Sequence, residues 1–384
     1  MITRDIAYIG VDDTDLDLFE SQYIIPNGIS YNSYLIKDEK IAIMDTADNR
    51  KIDEWLGNLR TALNGRTPDY LVVQHMEPDH AGCIAEILEE YPAIKIVASA
   101  RAIQMMPQFF EGKDFSQNTI AVKEGDTLSL GEHTLQFFMA PMVHWPEVMV
   151  TYDKKDKVVF SADGFGKFGA LSHEEDWACE ARRYYFNICG KYGGPVQALL
   201  KKLATLDVEC ICPLHGPILK ENLGYYIGLY DTWSKYDVET EGVFIAYASI
   251  HGGTAAVANV MAEILREKGA KKVSVADLSR DDMAEAIEDA FRMDKMIVAA
   301  ASYDGGVFPV MHDFLHHLQI KAYQKRRVGI IENGSWAPCA GRVMRGMLEQ
   351  MKDVEIAEPM VTILSRMKQS DRAALEALAD AILK

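Results

Sequence analysis

The chain has 384 residues, of which 48% are hydrophobic and 25% are charged, and its formal net charge is −17. This size and composition predict two or three globular domains. The acidic charge argues against nucleic-acid and anionic-lipid partners, because both need clustered Lys and Arg. No apolar run has the length of a membrane span and the first residues lack a signal-peptide pattern, so we expect a cytoplasmic protein with no membrane partner.

The first 218 residues alternate short apolar strands with a few helices. The predicted strands are 33–37, 40–44, 70–74, 94–98, 134–139, 148–152 and 158–161. The predicted helices are 50–63, 81–89, 173–188 and 196–206. The turn-rich stretches 123–126 and 131–132 are typical of hairpin connections. Cys210 and Cys212 fit alternation on a buried strand, since no second cysteine pair completes a metal site. Two β-rich blocks with helices predict a four-layer αββα sandwich.

From residue 243 the pattern changes to buried strands that alternate with amphipathic helices. The predicted strands are 243–247, 272–276, 296–300, 327–332 and 360–364. The predicted helices are 255–268, 282–289, 309–319, 337–351 and 371–383. Repeated βα units predict a doubly wound parallel sheet. We therefore expect an N-terminal domain at 1–241, which includes a linker helix near 220–241, and a C-terminal domain at 242–384.

Four potential metal ligands follow the predicted strand at 70–74 within six residues: His75, Glu77, Asp79 and His80. Pro78 stiffens this loop, and a loop at a strand end can direct several short side chains at one point. A single histidine is more often structural, but four ligand types at this spacing are hard to explain by chance. Imidazole and carboxylate without thiolate suit iron, manganese or zinc.

Three further candidates lie just past predicted strands, namely His144, Asp163 and His215. Each alone is as readily a structural residue as a ligand. Together with the loop they make seven ligands, which is enough for two metal ions that share one carboxylate. Asp163 is the natural bridge, because a carboxylate has two oxygens and a neutral imidazole offers one lone pair.

The spacing of these residues resembles the metallo-β-lactamase superfamily, whose hydrolases carry a second histidine where this chain has Glu77. A carboxylate there adds negative charge and a hard oxygen, which favours iron over zinc. The H-x-E-x-D-H pattern resembles that of flavodiiron proteins. That resemblance implies one iron bound by His75, Glu77 and His144, a second bound by Asp79, His80 and His215, and Asp163 as the bridge.

Three loops after predicted strands of the C-terminal half carry glycines, hydroxyls and aromatic side chains. The first would cradle a phosphate at a helix N-terminus, and Tyr303 and Trp336 would flank a flavin ring. The loop at 333–338 closely resembles the flavodiiron pattern, which implies FMN. The predicted contacts are Ser249, Ile250, His251, Gly252, Gly253, Thr254, Ser302, Tyr303, Asp304, Gly305, Gly306, Asn333, Gly334, Ser335 and Trp336.

The resemblance implies an oxidoreductase that reduces O2 to water, NO to N2O, or both, with electrons passed through FMN to the two irons. No rubredoxin module with its cysteine pairs follows the C-terminal domain, so we expect a separate donor, as the family implies a rubredoxin. The family also implies a head-to-tail homodimer or a dimer of dimers, since iron and flavin lie at opposite ends of the linear domain order. His173, Tyr184 and Tyr185 are candidate proton donors.

Two other classes of function stay open at this point. One is a di-zinc hydrolase of β-lactamase type with an appended flavodoxin domain, against which Glu77 argues. The other is a flavin electron carrier whose N-terminal half is a scaffold, against which the complete ligand set argues. The ligands do not distinguish O2 from NO as the substrate.

Overall fold

The computed structural model describes residues 2–384, and the chain divides into two compact units, residues up to 231 and residues 232–384. The predicted domain limits at 241 and 242 remain a prediction. Among the residues that the structure describes, no helix combines the length and the apolar character that a membrane crossing requires.

The first unit contains fifteen short strands and seven helices, and the last of these helices extends past the boundary at residue 231. Its strands are β1 (Ile6–Tyr8), β2 (Val11–Asp13), β3 (Leu18–Phe19), β4 (Tyr23–Ile24), β5 (Ile29–Tyr31), β6 (Tyr34–Lys37), β7 (Ile41–Met44), β8 (Tyr70–Val73), β9 (Lys95–Ser99), β10 (Thr119–Val122), β11 (Thr127–Ser129), β12 (Thr134–Met139), β13 (Met149–Asp153), β14 (Val158–Phe160) and β15 (Cys210–Cys212). Its helices are α1 (Ile52–Leu63), α2 (Pro78–Ala81), α3 (Ile84–Glu90), α4 (Ala100–Phe109), α5 (Trp177–Ile188), α6 (Gly193–Leu203) and α7 (Leu223–Ser234), of which α7 reaches the boundary between the units.

Two sheets form the framework of this unit. The first has the strand order β1-β6-β7-β8-β9-β10, and the second has the order β11-β12-β13-β14-β15. Side chains from both sheets meet in one core that includes Ile36, Val97, Phe137 and Phe160. Burial of each of these side chains contributes about 1.5–3 kcal/mol. This is the sandwich that the sequence predicts, with Cys210 and Cys212 on a buried strand.

The second unit alternates strands and helices. Its strands are β16 (Thr240–Ala248), β17 (Val273–Asp277), β18 (Met293–Tyr303), β19 (Gly306–Val307), β20 (Arg327–Asn333), β21 (Glu355–Ile356) and β22 (Val361–Ile363). Its helices are α8 (Gly253–Glu267), α9 (Met283–Arg292), α10 (Pro309–Ile320), α11 (Ala340–Leu348) and α12 (Arg372–Leu383).

The main sheet of the second unit is parallel, with the order β17-β16-β18-β20 followed by β21 and β22. Alternate residues of β16 face opposite sides of the sheet. Val243 and Ile245 pack with α8 and α12, whereas the ring of Phe244 lies 6.3 Å from that of Phe314 on α10. Both faces are thus covered by helices, as the sequence predicts. The order reverses at β16, and such a switch point is where doubly wound sheets bind ligands.

One predicted connection is wrong. The turn at 123–126 does not close a hairpin, because it leads from β10 in the first sheet to β11 in the second. The turn at 131–132 does join the antiparallel pair β11 and β12. Turn chemistry marks a reversal of the chain, but the partner of each strand is decided by the core that the strand covers.

Candidate functional site

Four separate stretches of the first unit bring the seven predicted ligands together. The loop after β8 carries His75 and Glu77, and the short helix α2, which begins at Pro78, carries Asp79 and His80. His144, Asp163 and His215 follow β12, β14 and β15 respectively. Six of the seven side chains are buried, and Glu77 is half-buried.

The first group consists of His75, Glu77 and His144. The Nε2 atom of His75 lies 3.2 Å from Glu77 Oε2, and the Nε2 atom of His144 lies 3.0 Å from the same oxygen. Asp163 Oδ2 is 3.2 Å from His75 Nε2 and 3.1 Å from His144 Nε2. Four donor atoms therefore surround one point.

The second group consists of Asp79, His80 and His215. Asp79 Oδ2 lies 3.3 Å from the Nε2 atoms of both His80 and His215. The other oxygen of Asp163, Oδ1, is 3.2 Å from His80 Nε2 and 3.8 Å from His215 Nε2. Each oxygen of Asp163 thus faces a different group, which is the arrangement of a carboxylate that bridges two metal ions.

The separations of these atoms fit metal ions. Donor atoms bound to one ion at about 2.0–2.2 Å lie about 3.0–3.4 Å from one another. All but one of the donor contacts fall in that range. Both oxygens of Asp79 and Asp163 and both ring nitrogens of His80 are buried without a well-oriented hydrogen-bond partner. Such atoms cost free energy unless a ligand satisfies them.

The carboxylates make the centre a site for positive charge. Burial lowers the pKa of His144, but contacts with Asp163 and Glu77 outweigh burial and raise that pKa to about 9. Burial also lowers the pKa of His75, but the Asp163 carboxylate outweighs burial and holds that pKa well above its ordinary value. Burial raises the pKa of Asp163, yet the surrounding histidines hold it well below the ordinary value. The negative charge of these buried carboxylates would therefore stabilise a pair of bound cations.

Two buried carboxylates hold the ligand loop and were not found from the sequence. Glu147 Oε1 lies 2.7 Å from His75 Nδ1 and accepts a hydrogen bond from the Met76 N–H. Asp45 accepts hydrogen bonds from the backbone and side-chain amides of Gln74. Ligand histidines are commonly oriented by such a contact to the second ring nitrogen. The only sequence signal for Glu147 is its position three residues after His144.

The candidate proton donors differ in their surroundings. The ring centroid of Tyr184 lies 5.5 Å from that of His215, and Tyr184 is buried. Tyr185 is buried too, with its ring 5.2 Å from that of Tyr230. His173 is exposed, and its Nδ1 atom lies 3.4 Å from the Ser172 hydroxyl. Of the three, Tyr184 is the one that packs on a ligand ring.

A cavity of about 630 Å³ lies in the second unit at the ends of β16, β18 and β20. It is lined by every predicted flavin contact except Gly252 and Gly306. The sequence reasoning missed Ala301, Ala337, Cys339, Ser365 and Arg366, which also line it. Ser365 and Arg366 follow β22, whose loop carries no glycine-rich signal.

The backbone around α8 suits a phosphate. Gly252 is left-handed, with φ of 81°, and caps the helix. A Cβ on Gly253 would collide with the carbonyl oxygen of Ser365, so only glycine fits there. The Ser249 hydroxyl is buried without a hydrogen-bond partner and is free to bind an anion at the helix N-terminus.

Two of the predicted flavin contacts, Ser302 and Asn333, make hydrogen bonds between the loops that line the cavity. The Ser302 hydroxyl accepts hydrogen bonds from the N–H groups of Cys339 and Ala340 at the start of α11. The Asn333 side chain donates to the Ser365 carbonyl and accepts from its N–H. The indole of Trp336 is 93% exposed and stands at the rim of the cavity, where it can cover a planar ligand.

The chain is similar to known proteins over both units. A family model described as ODP family beta lactamase matches residues 29–216. Diflavin flavoprotein A 2 of Synechocystis sp. is 29% identical over 96% of this chain, which spans 64% of that relative. The anaerobic nitric oxide reductase flavorubredoxin of Escherichia coli is 28% identical over 88% of this chain and 72% of its own length. The solved structure of rubredoxin oxygen:oxidoreductase from Desulfovibrio gigas has a TM-score of 0.93 at 26% identity and covers 100% of this chain and 97% of its own.

Fold and site together define a class of protein in which a β-lactamase-like domain with a dinuclear metal site is joined to a flavodoxin-like domain. Within that class, the named relatives and the structural match agree on one family. The chain resembles the flavodiiron proteins over both units. The fold class and the family resemblance expected from the sequence are confirmed, and the roles of the individual residues remain predictions.

Proposed function

We propose that this chain is an oxidoreductase that reduces O2 to water, NO to N2O, or both, at a non-haem di-iron centre that receives electrons through FMN. The observation that carries the proposal is the position of Asp163, whose two oxygens face two separate groups of ligand atoms. The names of the relatives point the same way, since one is a nitric oxide reductase and another is an oxygen oxidoreductase.

Iron fits the donor set better than zinc does. His75, Glu77 and His144 would hold one ion, Asp79, His80 and His215 would hold the other, and Asp163 would bridge them. Glu77 replaces an imidazole by a hard, charged oxygen, which favours iron. When bound, two ferrous ions supply two electrons to the substrate, and FMN passes on electrons that it stores.

Aromatic side chains fix the ligand rings and exclude water. The rings of Phe19 and Tyr184 lie 5.4 and 5.5 Å from that of His215. The indole of Trp145 packs edge-on against His75 at 5.2 Å. A dry, rigid wall keeps the imidazoles in place and strengthens the electrostatic interactions inside the centre.

The cavity of the second unit would hold FMN. Ser249 and Thr254 line the cavity near the N-terminus of α8, where they would bind the phosphate. Tyr303 and Trp336 also line it and would flank the ring. The volume of about 630 Å³ falls in the range of cofactor sites. FMN is therefore the cofactor that this loop arrangement favours.

The donor of the electrons is a redox partner protein, and we propose that it is a rubredoxin in the cytoplasm. We further propose a head-to-tail homodimer, or a dimer of two such dimers, in which the flavin of one subunit serves the irons of the other. A structural relative that is named for its action on rubredoxin and oxygen supports the donor. The dimer rests on the family resemblance and on the separate positions of the metal site and the flavin site in the domain order.

The test is to purify the protein, measure iron, zinc and FMN per chain, and follow O2 and NO consumption with one reduced rubredoxin. We expect two irons and one FMN per chain and turnover of at least one substrate. Two zinc ions with hydrolytic activity would favour the β-lactamase-type hydrolase. Reduced, iron-loaded protein that neither O2 nor NO reoxidises would favour a flavin electron carrier.

A further inference from the structure

The ligand histidines differ in what holds the second ring nitrogen. The Nδ1 atom of His75 lies 2.7 Å from the carboxylate oxygen Oε1 of Glu147. The Nδ1 atom of His215 lies 2.7 Å from a neutral acceptor, the backbone carbonyl of Ser30. His80 Nδ1 is buried without a hydrogen-bond partner. The two ligand groups are therefore supported unequally.

Glu147 is held rigidly, and its carboxylate is paired with His75. Its side chain is fully buried, and its Oε1 atom also accepts from the Met76 N–H at 2.9 Å. Its backbone carbonyl accepts from the Ser99 hydroxyl. Within residues 2–384, His75 is its single ion-pair partner, and its Oε2 atom has no hydrogen-bond donor. No lysine or arginine neutralises the carboxylate, so its field acts on the imidazole.

Apart from this contact, the two groups have matching sets of ligand types. Each has two imidazoles, one carboxylate of its own (Glu77 or Asp79) and one oxygen of Asp163. A carboxylate that accepts from Nδ1–H makes the imidazole a stronger electron donor through Nε2. Extra electron density and negative charge stabilise the ferric over the ferrous ion.

We propose that Glu147 is a positioning residue that makes the two irons unequal. The iron bound by His75, Glu77 and His144 is the harder one to reduce, and the iron bound by Asp79, His80 and His215 takes the first electron. This inference rests on the proposed di-iron function. It concerns the order in which the irons are reduced, which the function alone does not fix.

The test is a redox titration of iron-loaded Glu147→Gln against wild type, followed by electron paramagnetic resonance of the mixed-valent state and by Mössbauer spectroscopy. Glutamine keeps the shape and the acceptor oxygen but removes the charge. We expect the wild type to accumulate a mixed-valent form over a wide range of potential. In Glu147→Gln we expect the reduction potential of the iron bound by His75, Glu77 and His144 to rise. The difference between the potentials of the two irons then narrows, and the maximum mixed-valent signal falls. Iron affinity falls by about 10–100-fold.

Asp153→Asn is the matched control. Asp153 is a buried carboxylate of the same unit, 2.9 Å from the Nδ1 atom of His133, and neither residue belongs to the metal centre. This variant removes the same kind of pair, so any general loss of stability appears in it too. We expect its mixed-valent signal and its iron affinity to match the wild type.

An unchanged potential gap in fully loaded Glu147→Gln would overturn the inference, as would equal changes in the Asp153→Asn control. If Glu147→Gln retains no iron, Glu147→Asp, whose shorter side chain weakens the contact, takes its place in the titration. The difference between the two iron potentials must then narrow in Glu147→Asp, and an unchanged difference contradicts the proposed role of Glu147. Failure of the proposed function looks different, because wild type without iron, or without O2 and NO turnover, refutes it before any variant is made.

Discussion

Glu77 is the residue at which this chain differs from the hydrolases that its metal motif resembles. Its Oε2 atom lies within 3.2 Å of both His75 and His144, so it contributes directly to one ligand group. We predict that Glu77→His shifts the metal content from iron toward zinc, because a neutral imidazole replaces a hard anion. Metal analysis of protein expressed in medium with both metals should show a lower iron-to-zinc ratio and at least about a tenfold loss of O2 and NO turnover.

Glu54→His provides the control for that change. Glu54 is exposed on α1 and touches no ligand, so the same substitution there should leave the metal content unaltered. An unchanged iron-to-zinc ratio in Glu77→His would remove the argument that Glu77 selects the metal.

The His133 and Asp153 pair makes a pH-dependent contribution to the stability of the first unit. Burial lowers the pKa of His133, but the hydrogen bond to Asp153 outweighs burial and raises it, with Lys155, Asp156 and Asp5 as the other charged neighbours. Because the folded pKa is raised, the contribution is fully present below about pH 6.5 and is lost as the pH rises through the folded value.

We therefore predict that Asp153→Asn lowers the free energy of unfolding by about 1–3 kcal/mol at pH 6 and by less at pH 9. Urea unfolding of wild type and variant across that range measures the difference. If the loss of unfolding free energy in Asp153→Asn is the same at every pH, or grows with pH, the pH-dependent contribution of the His133 and Asp153 pair is contradicted.

The cluster of candidate ligands was predictable from the sequence because its chemical types are rare at such spacing, and His75, Glu77, Asp79 and His80 lie within six residues of one another. Glu147 and Asp45 were not, because their roles depend on which residue the fold places beside them. Glu147 reads as an ordinary polar residue after a proline until the structure brings it to within 2.7 Å of His75. Residues that act through another side chain carry no local signal.

The loop between β16 and α8 depends on one glycine. A side chain at Gly253 would collide with the Ser365 carbonyl, and the Asn333 side chain that holds Ser365 lies 3.3 Å from the same Cβ position. We predict that Gly253→Ala displaces these loops and weakens FMN binding at least about tenfold, measured by fluorescence titration of the apoprotein. Gly346→Ala on α11 is the control, since a Cβ there meets no atom and FMN binding should stay normal. Equal FMN affinity in both variants contradicts the role of the loop.

Elements with strong periodicity were predicted best. The five strands and five helices of the parallel sheet in the second unit are where the pattern places them, because buried strands and amphipathic helices differ clearly in period. The two- and three-residue strands β1 to β5 and the helix α4 were missed. Such short strands contain too few residues for alternation to appear, and they form because partners lie beside them.

At the scale of the whole molecule, the proposed head-to-tail dimer requires electrons to pass between subunits. We predict that a mixed dimer regains activity when one subunit carries Asp163→Asn and the other carries Gly253→Val. The first subunit keeps its flavin and the second keeps its irons, so one of the two transfer routes survives, and about half of the wild-type activity should return. Each variant alone should be inactive, and two separately tagged chains allow the mixed dimer to be isolated. A mixed dimer without activity would indicate transfer within one subunit.

The most direct measurement is a crystal structure of the iron-loaded protein with anomalous diffraction recorded on both sides of the iron absorption edge. We predict two iron peaks, one within bonding distance of each oxygen of Asp163, with Glu77 bound to one ion and Asp79 to the other. A single peak, peaks whose heights do not change across the iron edge, or ions held by other residues would contradict this prediction.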